Sequence, residues 1–181
     1  MPRYVVNRTR RIDENEMHHI IRRCNIPQHC AILSILYIIG CRVSELIDLQ
    51  KRDFNIKEDM ITISVFTAKQ RSISPMQPRR MLDIDINTPF ISYVINYVQS
   101  LHYPENVLFP IIRQKINRIL KSYDENLCPH LFRHNRLQSL ADAGLTANQL
   151  QAFAGWKNLS SSESYVRMSK KLSHAAWNKI R

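Results

Sequence analysis

A chain of 181 residues, 44% of them apolar, is long enough for one packed domain and too apolar to be disordered by composition. Its formal net charge of +11 points to a polyanionic partner, nucleic acid first. No stretch approaches the ~20 continuous apolar residues of a membrane-spanning helix.

The N-terminus has arginines but no apolar run before a small-residue cleavage site, so it does not read as a signal peptide. Arg3, Arg8, Arg10 and Arg11 occur without an acid, and residues 1–11 read as a flexible basic arm. Asp13 is placed to cap a helix with acids in its first turn, and Pro27 closes that helix. "HCAILSILYIIG" is nearly apolar throughout and reads as a buried helix ended by Gly40. "RVSELIDLQ" continues as a helix with Leu46 and Leu49 on one face. The four cysteines, Cys24, Cys30, Cys41 and Cys128, form no CxxC pair, and Cys24, His29 and Cys30 fit no common zinc spacing. Reduced thiols in a cytoplasmic protein, with no metal, are expected.

The period then changes to two. "MITISVFTA", the short "RSISP" and "RRMLDIDI" predict an antiparallel sheet of two or three strands, with Leu82, Ile84 and Ile86 on one face. Helices resume in "TPFISYVINYVQSLH", where Pro89 is expected at the first helical position, and in "PIIRQKINRILKSY". "PHLFRHNRLQSLADAG", "TANQLQAFAG" and "SSSESYVRMS" follow, then an amphipathic tail over 171–181. The fold class is therefore mainly α with a small antiparallel β-sheet. The three glycines, Gly40, Gly144 and Gly155, each end a predicted helix, where backbone conformation calls for them.

Some residues are not explained by these faces. Arg42 and Glu45 share a helix face, so the acid can orient the guanidinium; an ordinary surface ion pair would look the same. In "PHLFRHNRLQSLADAG", His130, Arg133 and His134 fall on the side of Leu137, Leu140 and Ala141, which should face the core. A helix N-terminus favours an anion, and the fork-shaped guanidiniums of Arg42 and Arg133 suit phosphate oxygens. Lys69 in "TAKQRS", Trp156 and Tyr165 are unremarkable singly. Arg79, Arg80, Arg113, Lys115, Arg118 and Lys121 are candidates for DNA-backbone contacts or plain solvated charges.

Order and spacing make the set specific. "GCRVSEL", "TAKQRS", "HLFRH", "ADAGLTANQLQAFAGW" and "SESYVRM" occur in that order; Trp156 is 23 residues past Arg133 and Tyr165 nine past Trp156. This resembles the tyrosine recombinase (phage integrase) family from about residue 13 to 170. The resemblance implies a catalytic domain over 12–170. Arg42 and Arg133 would hold the non-bridging oxygens of a scissile phosphate, and Tyr165 would attack phosphorus. Lys69 would protonate the leaving oxygen, and His130 would assist proton transfer at the tyrosine. Trp156 would donate to a phosphate oxygen. Glu45 and His134 would brace the site.

The resemblance also implies double-stranded DNA as partner and no metal or nucleotide cofactor. It implies a homo-tetramer joined through the tail, with DNA-bending accessory proteins. No core-binding domain precedes the catalytic region, so the sequence is either a piece of a longer chain or a short form resembling the fimbrial-switch invertases. The reaction expected is site-specific integration, excision or inversion. A type IB topoisomerase, or a non-catalytic DNA-binding accessory factor on the same scaffold, are the alternatives.

Overall fold

The computed structural model describes residues 10–67 and 79–178, with side chains through Ser169. Eight helices and three strands follow in the order α1 (Glu14–Arg22), α2 (Pro27–Ile39), α3 (Val43–Ile47), β1 (Phe54–Ile56), β2 (Met60–Phe66), β3 (Arg79–Asp85), α4 (Ile91–Ser100), α5 (Arg113–Tyr123), α6 (Pro129–Asp142), α7 (Ala147–Ala154) and α8 (Ser160–Asn178). This is the mainly α architecture with a small sheet that the periodicity predicts. Among the described residues, no helix is long and apolar enough to cross a membrane.

The sheet is antiparallel in the order β1-β2-β3. Ile61, Ile63 and Val65 of β2 point to the buried face, opposite Ile84, Leu82 and Arg80 of β3. The third strand is β1 before the hairpin. Its three residues are too few to show a period. The predicted "RSISP" strand lies outside the described residues.

Helix α2 is buried on nearly all sides, and it forms the centre of the larger apolar cluster. A smaller cluster gathers Leu137 and Ala141 of α6 with Leu150 and Ala154 of α7. Helix α6 belongs to both, since its Leu131 and Phe132 lie in the larger one. That double membership makes it buried on more than one side.

Several local expectations change. Pro89 does not open α4. Phe90 intervenes with φ 69° and its ring packs edge-on to Tyr37 at 5.5 Å and His18 at 4.6 Å. Ring contacts thus accompany a buried non-glycine residue in the left-handed region, which carries a steric cost of about 1 kcal/mol. The backbone of α8 runs unbroken from "SSSESYVRMS" into the tail as far as Asn178. Arg10 and Arg11, read as part of the basic arm, are paired: Arg10 with Asp124 at 2.7 Å and Glu16 at 2.6 Å, Arg11 with Asp142 at 3.0 Å. Asn135 of α6 accepts from Ile12 N at 2.9 Å and donates to the Arg10 carbonyl at 3.1 Å. The segment leading into α1 is therefore fastened across α6.

Candidate active site

The site is built where the two apolar clusters meet. Helix α2 ends at Gly40 in a left-handed conformation, φ 55°. A Cβ there would lie 2.9 Å from Arg136 Cβ and 3.3 Å from Arg133 Cα, so α6 packs directly on a bare backbone. Arg42 follows as the N-cap of α3. Glu45, three residues on, accepts from the Arg42 backbone N–H at 2.9 Å through Oε2 and from Arg42 Nη1 at 2.6 Å through Oε1. The acid thus caps the helix and aims the guanidinium at once. Glu45 is fully buried. Burial opposes its charge, but hydrogen bonds and charge from Arg80, then from Arg42, hold the carboxyl below its usual range.

Arg133 is 7% exposed on the first turns of α6. It donates to the carbonyl of Gly40 at 2.9 Å and to that of Ala154 at 2.8 Å. Its guanidinium also lies 5.4 Å from the centre of the Trp156 ring. Burial, then the neighbouring Arg42 and Arg80 cations, push its pKa down to about 10, against a raising influence of Glu45. The N-terminus of α6 has no side-chain cap, which leaves its positive end open to an anion.

Trp156 stacks on Tyr165 with ring centres 5.7 Å apart, and both pack against the smaller apolar cluster. The Tyr165 hydroxyl lies 3.1 Å from Nδ1 of His134. The imidazole at that hydroxyl is therefore that of His134, expected only as a brace. His130, expected to serve the tyrosine, is exposed on the first turn of α6. The structure thus brings together Arg42, Glu45, Arg133, His134, Trp156 and Tyr165. Lys69 lies outside the described residues. Among the described residues no cluster of three or more His, Cys, Asp or Glu side chains could hold a metal ion.

Arg80 differs from its expected surface role. It is 9% exposed, and its Nη2 donates to Glu45 Oε2 at 2.8 Å. The signal was present in the strand period: Arg80 is two residues before Leu82, on the buried face of β3. Arg79, its neighbour, faces outward, pairing with Asp53 and donating to Ser64 Oγ at 2.8 Å. Arg113, Lys115, Arg118 and Lys121 are exposed on α5.

Comparison with known proteins shows the family and the fold. The phage integrase family matches residues 10–171. Tyrosine recombinase XerD of Staphylococcus haemolyticus is 29% identical over 154 residues, covering 77% of this chain and 50% of that protein. Tyrosine recombinase XerA of Pyrococcus horikoshii is 22% identical over 168 residues, covering 88% and 57%. The chain thus spans about half the length of the curated relatives it matches. A crystal structure of XerA recombinase superposes with TM-score 0.67 at 18% identity, covering 100% of this chain and 66% of that one. XerH site-specific recombinase, in a post-cleavage complex with a palindromic difH substrate, gives TM-score 0.68 at 16% identity, covering 92% and 52%. With the family matched over most of its length and the tertiary fold shared with recombinases, this chain belongs to the phage integrase family.

Proposed function

We propose that this chain breaks and rejoins double-stranded DNA at specific sites through a covalent link to Tyr165. One observation carries the reading. The guanidiniums of Arg42 and Arg80 share the single carboxylate of Glu45, that of Arg133 lies near enough to feel all three charges, and the ring stack of Trp156 and Tyr165 lies against Arg133. Such a buried excess of positive charge is costly unless an anion completes it. A phosphodiester beside Arg42 and Arg133 would do so, and both cations would meet the charge that grows on its non-bridging oxygens.

The step balances without an outside energy source. Tyr165 Oη bonds to phosphorus as the bond from phosphorus to the 5′-oxygen breaks. The phenol proton leaves toward His134 or water, and the 5′-oxygen takes a proton from a general acid, a role that Lys69 would fill. Attack by another 5′-hydroxyl reverses the step and restores the phosphodiester. His130, at the edge of α6, would then contact the phosphate rather than the phenol. The relatives' names, tyrosine recombinases, support the reading as a recombinase. Assembly as a tetramer through residues 171–181, DNA-bending helpers and a cytoplasmic location beside the host DNA belong to the same proposal.

The test is covalent trapping on nicked duplexes drawn from the genomic neighbourhood of the coding sequence, so that the cleaved fragment diffuses away. A detergent-resistant adduct that maps to Tyr165 and is lost in Tyr165→Phe is expected. DNA binding without any adduct from the wild type would instead leave a DNA-binding module. Relaxation of plasmids lacking such sites would indicate a topoisomerase.

A further inference from the structure

We propose that Arg80 is a positioning residue of this site: it fixes Glu45, and through Glu45 the guanidinium of Arg42. The inference rests on the site described above and adds a residue to it.

The two oxygens of Glu45 are divided. Oε1 takes Arg42 Nη1, and Oε2 takes Arg80 Nη2 together with the Arg42 backbone N–H. Neither oxygen faces water, since Glu45 is fully buried. Without Arg80, Oε2 would keep only the backbone N–H, and the carboxylate would be free to pivot about it. A pivot of that kind moves Oε1 and the guanidinium it holds.

Arg80 also reaches two other parts of the site. Its Nη1 is 3.4 Å from Thr67 Oγ1, at the end of β2. A Cβ added at Gly155 would lie 2.9 Å from the same Nη1 and 2.9 Å from Thr67 Cγ2. The turn that presents Trp156 is thus seated on Arg80 and Thr67. Its Nε is buried without a hydrogen-bond partner among the described residues. A buried donor left unpaired costs stability. The residue therefore sits inside the protein, holding Glu45 and the Gly155 turn, and does not itself present a group to DNA.

The experiment follows the Arg42 guanidinium N–H signals by nitrogen-15 nuclear magnetic resonance in the free protein, assigned by their loss in Arg42→Lys. In wild type these protons should be protected. Arg80→Gln should exchange them about tenfold faster or more, while Arg80→Lys, which can still pair with Glu45, should retain most of the protection. Should Arg80→Gln fail to fold, Glu45→Gln and Arg80→Lys still bracket the effect. In cleavage, Arg80→Gln should slow adduct formation by about tenfold to a hundredfold, as expected for a misplaced reacting group. It should leave DNA affinity within about threefold and cost nothing further in an Arg42→Ala background. Unchanged Arg42 signals in a folded Arg80→Gln protein would overturn the proposal. So would an equal loss of rate with and without Arg42. If the wild type forms no adduct, the reading of the activity fails, and the Arg42 signals still decide this one.

Discussion

The hydroxyl of Tyr165 and Nδ1 of His134 share a hydrogen bond of 3.1 Å, although the two residues lie 31 positions apart on different helices. This bond ties α6 to α8 and helps to fix where the phenol oxygen stands. His134→Phe keeps a ring of similar size and removes the nitrogen. A neutral hydrogen bond is worth about 1 kcal/mol. Covalent trapping should therefore slow by roughly fivefold, with a small fall in melting temperature. A trapping rate equal to wild type would show that the bond has no part in the reaction.

Arg133 supports the fold as well as the proposed chemistry. Arg133→Ala would leave the carbonyls of Gly40 and Ala154 without their donor. Some water should enter the space, so a loss of about 2 kcal/mol is expected, within the range for unsatisfied buried groups. Urea unfolding at neutral pH measures it. Arg42→Ala, whose residue is less buried and holds no such pair of carbonyls, should cost less stability while slowing cleavage by about a hundredfold to a thousandfold, which leaves a measurable residual rate.

The glycines make a matched comparison. Gly155→Ala must accept φ 62° and a Cβ 2.9 Å from both Arg80 Nη1 and Thr67 Cγ2. Gly144→Ala must accept φ 95°, but nothing lies within 4 Å of its Cβ. The second should cost about 1 kcal/mol, from backbone conformation alone. The first should cost more, and it should slow trapping disproportionately because it displaces the turn that carries Trp156. Equal losses in thermal unfolding would contradict the packing described for Gly155.

The pair between Arg10 and Asp124 gives a pH signature. The hydrogen bond from Arg10 first of all, with one from the Asn126 backbone, lowers the Asp124 pKa from 3.8 to about 2, against the effect of burial. A carboxyl depressed in the folded state contributes stability that is fully present above its unfolded pKa and lost as pH falls through the folded value. Asp124→Asn should therefore lower the melting temperature at pH 7, with the difference from wild type shrinking between about pH 4 and pH 2. Solvent screening at this part-exposed pair keeps the effect at about 1 kcal/mol or below. A constant difference across that range would exclude the linkage.

Much of this site is legible in the sequence because its parts are local. Gly40, Arg42 and Glu45 lie within six residues, and His130, Arg133 and His134 within five. Helical spacing puts the second group on one side, and the capping bonds of Glu45 join it to Arg42 in the first. What the chain could not show is which group answers which across elements. His134 meets the Tyr165 hydroxyl because α8 crosses α6 about one turn beyond its start, a tertiary fact. Arg80 has a period-two signal beside Leu82, but a charge next to Arg79 reads first as surface. Only its pairing with Glu45, 35 positions away, shows otherwise. Strand β1 is too short for any period, and the left-handed Phe90 packs against Tyr37 and His18 of other helices, contacts that no local pattern announces.

The two carbonyls that hold Arg133 belong to helix ends. Gly40 caps the C-terminus of α2, and Ala154 is the last residue of α7. Each such end carries a partial negative charge, equivalent to roughly half an electron in a long helix. Two of them converge on one guanidinium, which explains how it stays buried with no carboxylate bonded to it among the described residues. The choice has an electrical consequence. A carboxylate would have cancelled the cation and closed the site as a neutral pair. Helix ends steady the cation yet leave its full formal charge in place, so the electrostatic balance of the interior is left for an incoming anion to complete.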